Sequence, residues 1–222
     1  MIKRSVIITA GGIGRRTGNV IPKQFLLIGN LPILAHTINA FHLFDQHLEI
    51  VVTLPRDWVD YWKSLITSIG FTVPHGIVVG GAERFHSIKN ALTTVHGEHI
   101  AIHDGVRPFV SAATIERCFS SLNKFEAVVP IVDLKDTIRC LEGGDNFAVD
   151  RKNFRIIHTP QCFHAETIKK AYCQEFTDNI TDDASLVEQL GGKIHFVNSN
   201  AENIKITDQF DLKIAQLLIV KP

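Results

Sequence analysis

Close behind a glycine-rich run near the start of the chain stand two arginines and a lysine. The order is Ala10-Gly11-Gly12-Ile13-Gly14-Arg15-Arg16, then Pro22-Lys23-Gln24. Glycine lets backbone N–H groups come close to an anionic oxygen, and the cations supply opposite charge, so the pattern suits phosphate chemistry. It is neither of the two familiar phosphate loops, because both would place glycine where Thr17 stands. A tight turn with solvated basic residues is the alternative for the glycines alone. Arg16 and Lys23 weigh against it, and Pro22 fixes the backbone direction just before the ammonium.

Further candidates follow other apolar runs. Gly80-Gly81-Ala82-Glu83-Arg84 comes after Gly76–Val79, and Asp104-Gly105-Val106-Arg107-Pro108 comes after His99–His103. Asp104 can accept ribose hydroxyls or position a cation, or else cap its own turn. Arg107 reads as a structural partner of Asp104 more than as a substrate contact. Ser87 can hydrogen-bond a base edge, although a serine there is commonly only a cap. Asp182-Asp183 resembles a two-carboxylate metal site, but acidic residues in a helix's first turn are favoured by the macrodipole, and that structural reading is preferred. Lys205, between Ile204 and Ile206, is either a solvated edge lysine or a phosphate ligand. The eleven histidines are scattered without HExxH or similar spacing, so a metal cage made of protein ligands is not expected.

Residues so far apart in sequence need a scaffold that gathers them. Ser5–Thr9, Glu49–Leu54, Gly76–Val79, His99–His103 and Ala127–Val132 read as buried strands. Between them Pro32–Phe44, Asp57–Ile69, Arg84–Val95 and Ser111–Leu122 carry helical spacing with caps or glycine stops. This rhythm predicts an α/β fold: a Rossmann-like, mostly parallel sheet flanked by helices. Ligands in such sheets bind beyond the carboxyl ends of the strands, where the loops above begin. The rhythm breaks between Asp133 and Thr159, where Asp136–Leu141, Phe147–Val149 and Phe154–His158 flank a Gly143-Gly144-Asp145-Asn146 turn. That stretch, about 133–159, is expected to project as a β-arm from a single domain spanning 1–222. Helices resume at Ala165–Phe176 and Asp182–Leu190, the second capped by Thr181. Strands follow at Lys193–Val197 and Asn203–Ile206, then a last helix from Asp208 to about Val220.

Composition narrows the class. The chain has 222 residues, 45% of them hydrophobic, with Lys plus Arg equal to Asp plus Glu at 23 each, so no bulk field draws in nucleic acid or an anionic membrane. Lys3-Arg4 imitates the start of a signal peptide, but the apolar stretch after it is too short for one. Cys118, Cys140, Cys162 and Cys173 show no paired spacing, which suggests reduced thiols and a cytoplasmic location.

Taken together, AGGIGRR, PKQF, GGAERFHS, HDGVRPF, Asp136-Thr137, Val149-Asp150-Arg151, HTPQ, TDDAS and NIKIT occur in the order and approximate spacing of the 2-C-methyl-D-erythritol 4-phosphate cytidylyltransferases, which the chain resembles from Val6 to about Ala215. The resemblance implies the sugar-nucleotide-transferase-like fold and a reaction of CTP with methylerythritol phosphate, giving the CDP-alcohol and pyrophosphate in non-mevalonate isoprenoid synthesis. It implies that Arg16 and Lys23 stabilise charge on the triphosphate and transition state, and that Arg151 and Lys205 hold the acceptor. Thr137 and Thr159 match substrate-contacting threonines. The family dimerises through its arm, so Thr137 and Arg151 are expected from the partner subunit of a homodimer. Ala10, Gly11, Gly12, Gly14, Gly81, Ser87, Asp104 and Gly105 match the nucleotide pocket. Mg²⁺ or another divalent cation is implied on the CTP phosphates. The chain departs from the family pattern at Thr9-Ala10-Gly11-Gly12, at Ala82 and at Gly105-Val106, with small residues or backbone donors kept each time.

Three other readings compete. A ribitol-5-phosphate cytidylyltransferase of the same fold shares the glycine-rich loop, PKQF and the Asp104–Phe109 pattern, but the segments at Val149–Arg151 and Thr181–Ser185 favour the methylerythritol type. A non-catalytic nucleotide-binding protein is opposed by the presence of Arg16, Lys23, Arg151 and Lys205 together. A dinucleotide oxidoreductase is opposed by the missing third glycine.

Overall fold

The computed structural model describes residues 2–12 and 21–219. Strand β1 (Arg4–Thr9) leads to a short hairpin, β2 (Leu27–Ile28) and β3 (Leu31–Pro32), and then to helix α1 (Ile33–Phe44). Next come β4 (Glu49–Leu54), α2 (Val59–Ser68), β5 (Gly76–Val79), α3 (Arg84–Leu92), β6 (His99–Asp104), α4 (Ala112–Ser121) and β7 (Ala127–Asp133). The remainder comprises β8 (Arg139–Glu142), β9 (Asp145–Ala148), β10 (Arg155–Ile157), β11 (Gln161–His164), α5 (Ala165–Ala171), α6 (Asp183–Gln189), β12 (His195–Asn198) and α7 (Gln209–Ile219).

The main sheet runs β10-β7-β11-β6-β1-β4-β5, with β12 joined to β7. Strands β6, β1, β4 and β5 are parallel neighbours, so their carboxyl ends share one edge. The apolar runs of β6, β1 and β4 are buried on both faces, Val6, Ile7 and Ile8 fully so, while β5 at the sheet edge is only half-buried. One layer packs Val6 and Ile8 with Leu34, Ile38, Phe41 and Phe119, and the other packs Ile7 with Phe85, Ile88, Phe163 and Leu186. Such a sandwich fixes the strand ends to within the tolerance of close packing.

Three elements differ from the sequence reading. Gln161–His164 is a strand, β11, running antiparallel between β6 and β7, where no element is expected from the sequence. Within the break at 133–159, β8 and β9 form their own two-stranded sheet, whereas β10 pairs back onto β7 and belongs to the main sheet. Asn203–Ile206 is not a strand: the segment keeps one ladder-like bond, from the Ile206 N–H to the Val106 carbonyl at 3.0 Å. Helix ends follow local chemistry. Ser111 caps α4 as expected, its Oγ accepting from the Thr114 N–H at 3.1 Å, but α6 is capped by Asp182 and not by Thr181, through the Ser185 N–H at 3.0 Å. Among the described residues no helix is long and apolar enough to cross a membrane.

Candidate active site

Each parallel strand hands its ladder to the loop that follows. The Ala10 N–H donates to the Thr53 carbonyl at 3.0 Å, Gly80 to Leu54 at 2.8 Å and Gly105 to Thr9 at 2.9 Å. The loops therefore leave the sheet in fixed directions, and between them lies a cavity of about 560 Å³. Its wall includes Ala10, Gly11, Gly12, Lys23, Gly81, Ser87, Asp104 and Lys205, all of which the sequence had singled out.

Lys23 opens a single 3₁₀ turn, Lys23–Phe25, behind Pro22. The next two side chains hold that turn. Gln24, buried, donates its Nε2 to the Ala10 carbonyl at 2.7 Å. Phe25, also buried, lies against Trp58, Tyr61 and Trp62 with ring centroids 5.3–5.8 Å away. Lys23 is thus aimed by an amide on one side and an aromatic cluster on the other.

The second loop has almost no room for side chains. A Cβ at Gly80 would stand 2.7 Å from Ser87 Oγ, and one at Gly81 would stand 2.3 Å from His86 Cβ. Ser87 Oγ accepts from the Gly81 N–H and donates to the Glu83 carbonyl, both at 3.1 Å, so it staples the loop to α3.

Asp104 is the electrostatic hub. It is buried, with Arg107 Nε and Lys205 Nζ at 3.1 and 3.2 Å from Oδ2 and Arg84 Nε at 3.8 Å from Oδ1. Burial pushes its carboxyl pKa up, but Arg84, Lys205 and Arg107 together outweigh burial and hold it well below the usual carboxylate range. Arg84 is secured from behind by Asp183, a fully buried residue that accepts both guanidinium nitrogens at 2.7 Å and the Tyr172 hydroxyl at 2.5 Å. Burial alone would lower the Arg84 pKa; the Asp183 charge and hydrogen bonds reverse that and raise it. Asp183 is therefore an anchor for an arginine, and Asp182 a helix cap that also accepts from Gln161 Nε2 at 2.7 Å. Arg107 also donates to the Asn203 carbonyl at 2.8 Å, the structural role read for it. The sequence reading quoted Arg84 without giving it a task. Its position at the start of α3, after a glycine turn, was the available signal.

Beneath the hub, Thr159 Oγ1 accepts from the Asp104 N–H and lies 3.1 Å from His103 Nδ1, while His103 Nε2 lies 3.0 Å from the Arg107 carbonyl. A carbonyl partner requires N–H on Nε2. Burial lowers the pKa to about 4, so the imidazole is neutral near pH 7 and Nδ1 accepts from the Thr159 hydroxyl.

The remaining expected site residues lie elsewhere. Gly105 packs under the first loop, where a Cβ would meet the Thr9 carbonyl at 3.0 Å and Ala10 Cβ at 3.2 Å, so it shapes the cavity from behind. Thr159 is also behind the wall, its hydroxyl turned to the interior toward the Asp104 N–H and His103. Thr137 and Arg151 are exposed, and the Arg151 guanidinium donates to the Lys135 carbonyl in its own segment. Gly14 and Arg16 lie outside the described residues. Thr9, Gln24, Ala82, Glu83, Arg84, Val106 and Thr207 complete the wall, none of them given a role from the sequence. Among the described residues no group of three or more His, Cys, Asp or Glu side chains is placed to hold a metal ion.

Comparison with known proteins bears directly on this geometry. Residues 4–221 match the family described as 2-C-methyl-D-erythritol 4-phosphate cytidylyltransferase. The chain is 47% identical over 217 residues to the protein of that name from Bacteroides fragilis, covering 97% of this chain and 99% of that one. It is 42% identical over 220 residues to the one from Porphyromonas gingivalis, covering 98% of each. In three dimensions it is similar to the 4-diphosphocytidyl-2C-methyl-D-erythritol synthase of Anaerococcus prevotii, with a TM-score of 0.84, 27% identity and coverage of 99% and 97%.

Proposed function

Because the chain belongs to the 2-C-methyl-D-erythritol 4-phosphate cytidylyltransferase family and is a nucleotidyltransferase, we propose that the cavity beyond β1, β5 and β6 is where it joins CTP to methylerythritol phosphate. The observation that carries this reading is the convergence of three glycine-bearing or charged strand ends, with Lys23 and Lys205, on one wall. The acceptor's phosphate oxygen attacks the α-phosphorus of CTP in line. A new P–O bond forms, the bond to the β-phosphate bridging oxygen breaks, and pyrophosphate leaves. A phosphate is already an anionic nucleophile, so the chain has to supply position and positive charge more than proton transfer.

Lys23, with Arg16, is assigned to the triphosphate and its developing charge. Lys205 is assigned to the acceptor phosphate, and Asp104 preorganises its ammonium at 3.2 Å. The backbone of Gly11, Gly12 and Gly81 offers close approach to nucleotide oxygens or base edge. Ser87 gives its one proton to the Glu83 carbonyl, so toward the cavity it is an acceptor, suited to the amino group of cytosine. A divalent cation enters as part of the substrate, on the CTP phosphates, since Asp104, the carboxylate of the hub, is taken up by three cations.

The acceptor side is assigned to two copies of the chain. Leu141, Phe147, Phe154, Ile156 and Ile157 present apolar surface around the β8–β9 hairpin and β10. Pairing of these faces in a homodimer would bring Thr137 and Arg151 to the neighbour's cavity. Pyrophosphate release with CTP and a panel of polyol phosphates tests the whole reading. Turnover with methylerythritol phosphate is expected; turnover with ribitol phosphate alone would overturn the acceptor assignment, and no turnover with either would overturn the activity.

A further inference from the structure

We propose that Asp211, on the first turn of α7, is a positioning residue that holds the Lys205-bearing segment in register with the Lys23-bearing one. The inference rests on the cavity's being the substrate site, as argued above. Lys205 stands in an irregular segment whose one ladder-like tie to a neighbouring element is the Ile206 bond to Val106. The residues just after it add further order. Asp211 Oδ2 accepts from the Thr207 N–H at 2.7 Å, the Thr207 hydroxyl at 2.6 Å and the Asp208 N–H at 3.2 Å. Asp208 Oδ1 returns the favour by accepting from the Phe210 and Asp211 N–H groups at 2.8 and 3.0 Å.

A reciprocal cap of this kind would by itself serve only to start a helix. Two further observations tie it to the cavity. Thr207, the residue that Asp211 grips, is part of the cavity wall together with Lys23 and Lys205. The helix that carries Asp211 also packs on β2, which starts four residues after Lys23. A small apolar cluster, with Ile28 and Leu26 from one segment, Ile206 from the other, and Leu212 and Ala215 from α7, joins the three. The helix therefore touches both lysine-bearing segments, and Asp211 is its hydrogen-bonded link to the Lys205 one, with the charge of Lys23 acting on the same carboxylate. Burial pushes the Asp211 carboxyl up, but the Thr207 and Asp208 hydrogen bonds and the charge of Lys23 outweigh burial and hold it below its ordinary value.

The test uses the full-length protein and both substrates, with D211A and D211N beside the wild type. D211A removes all three acceptor contacts, whereas D211N keeps a neutral oxygen for Thr207. D211A is expected to raise KM for methylerythritol phosphate by about tenfold, and D211N by about threefold, the scale of charge-assisted hydrogen bonds lost or weakened. A residue that merely starts the helix would lower the thermal midpoint and the folded fraction while leaving KM in the folded fraction unchanged. An unchanged KM in D211A overturns the proposal; should D211A fail to fold, an unchanged KM in D211N overturns it equally. An inactive wild type would instead discard the functional reading itself, so the two failures are separable.

Discussion

Around Asp104 every charged group has a partner from the same chain, whereas between residues 139 and 157 the chain turns side chains outward. Asp104 is surrounded by Arg84, Arg107 and Lys205, and Arg84 is braced in turn by Asp183 and Tyr172. In the other region Leu141 is 79% exposed, Phe147 46% and Ile156 45%. Buried ion networks are costly to leave incomplete, so a region that contains one is organised from within. A two-stranded hairpin without a core of its own has no such internal brace. The wall around Asp104 is thus braced within the chain, whereas the 139–157 region leaves apolar side chains exposed, the face on which the proposed association would act.

The contrast can be broken in order of effect. Lys23→Ala, in the braced wall, is expected to lower turnover by about 10²–10³-fold, the usual loss of one transition-state charge donor, in a protein of normal thermal midpoint. Near-normal turnover would make the first loop structural. Arg151→Ala, in the other region, should raise KM for the acceptor about tenfold while CTP affinity, read by calorimetry, stays put. Loss of CTP affinity instead would dissolve the division between the two regions.

Stability should divide the same way. Asp183→Ala leaves Arg84 without its bidentate partner and should cost about 2–3 kcal/mol by urea denaturation. That is below the range for a sealed pair, because 35% of the Arg84 side chain meets solvent. His103 gives a pH signature. The unfolded imidazole takes up its proton near 6.5 and the folded one near 4. Between those values the unfolded chain binds more protons, so stability is complete above about pH 6.5 and falls as pH drops toward 4, by about 1.4 kcal/mol per unit. Denaturation midpoints of the wild type and His103→Gln across that range check it, the variant losing less. The smallest effect on the fold belongs to Leu141→Glu, which should stay within about 0.5 kcal/mol of wild type yet halve the mass seen by light scattering. A dimer that survives would move the interface away from this face.

Parallel strands and the glycine loops were legible because their signals are local: β-branched runs of fixed length, then small residues. Lys23, Ser87 and Asp104 could be named for the same reason; Lys205 came from an alternating pattern that does not form a strand. Asp183's true task could not, since the charge it serves sits 99 positions away on another helix. The helix-dipole argument placed Asp182 and Asp183 at the start of a helix but had no means of finding Arg84. Strand β11 was missed because four residues beside a proline, Gln161–His164, carry no alternation; its burial between β6 and β7 decides its state. The opposite error at Asn203–Ile206 has the same origin, an alternating pattern without a neighbouring strand to complete it.

The crowding beneath Gly80 and Gly81 limits how the enzyme can change. One added carbon at either position would collide with α3 at 2.7 or 2.3 Å, so that floor tolerates no decoration. A change in the shape of this cavity would therefore have to come from other parts of its lining, such as Ala10, Ala82 or Thr207, and not from the two glycines.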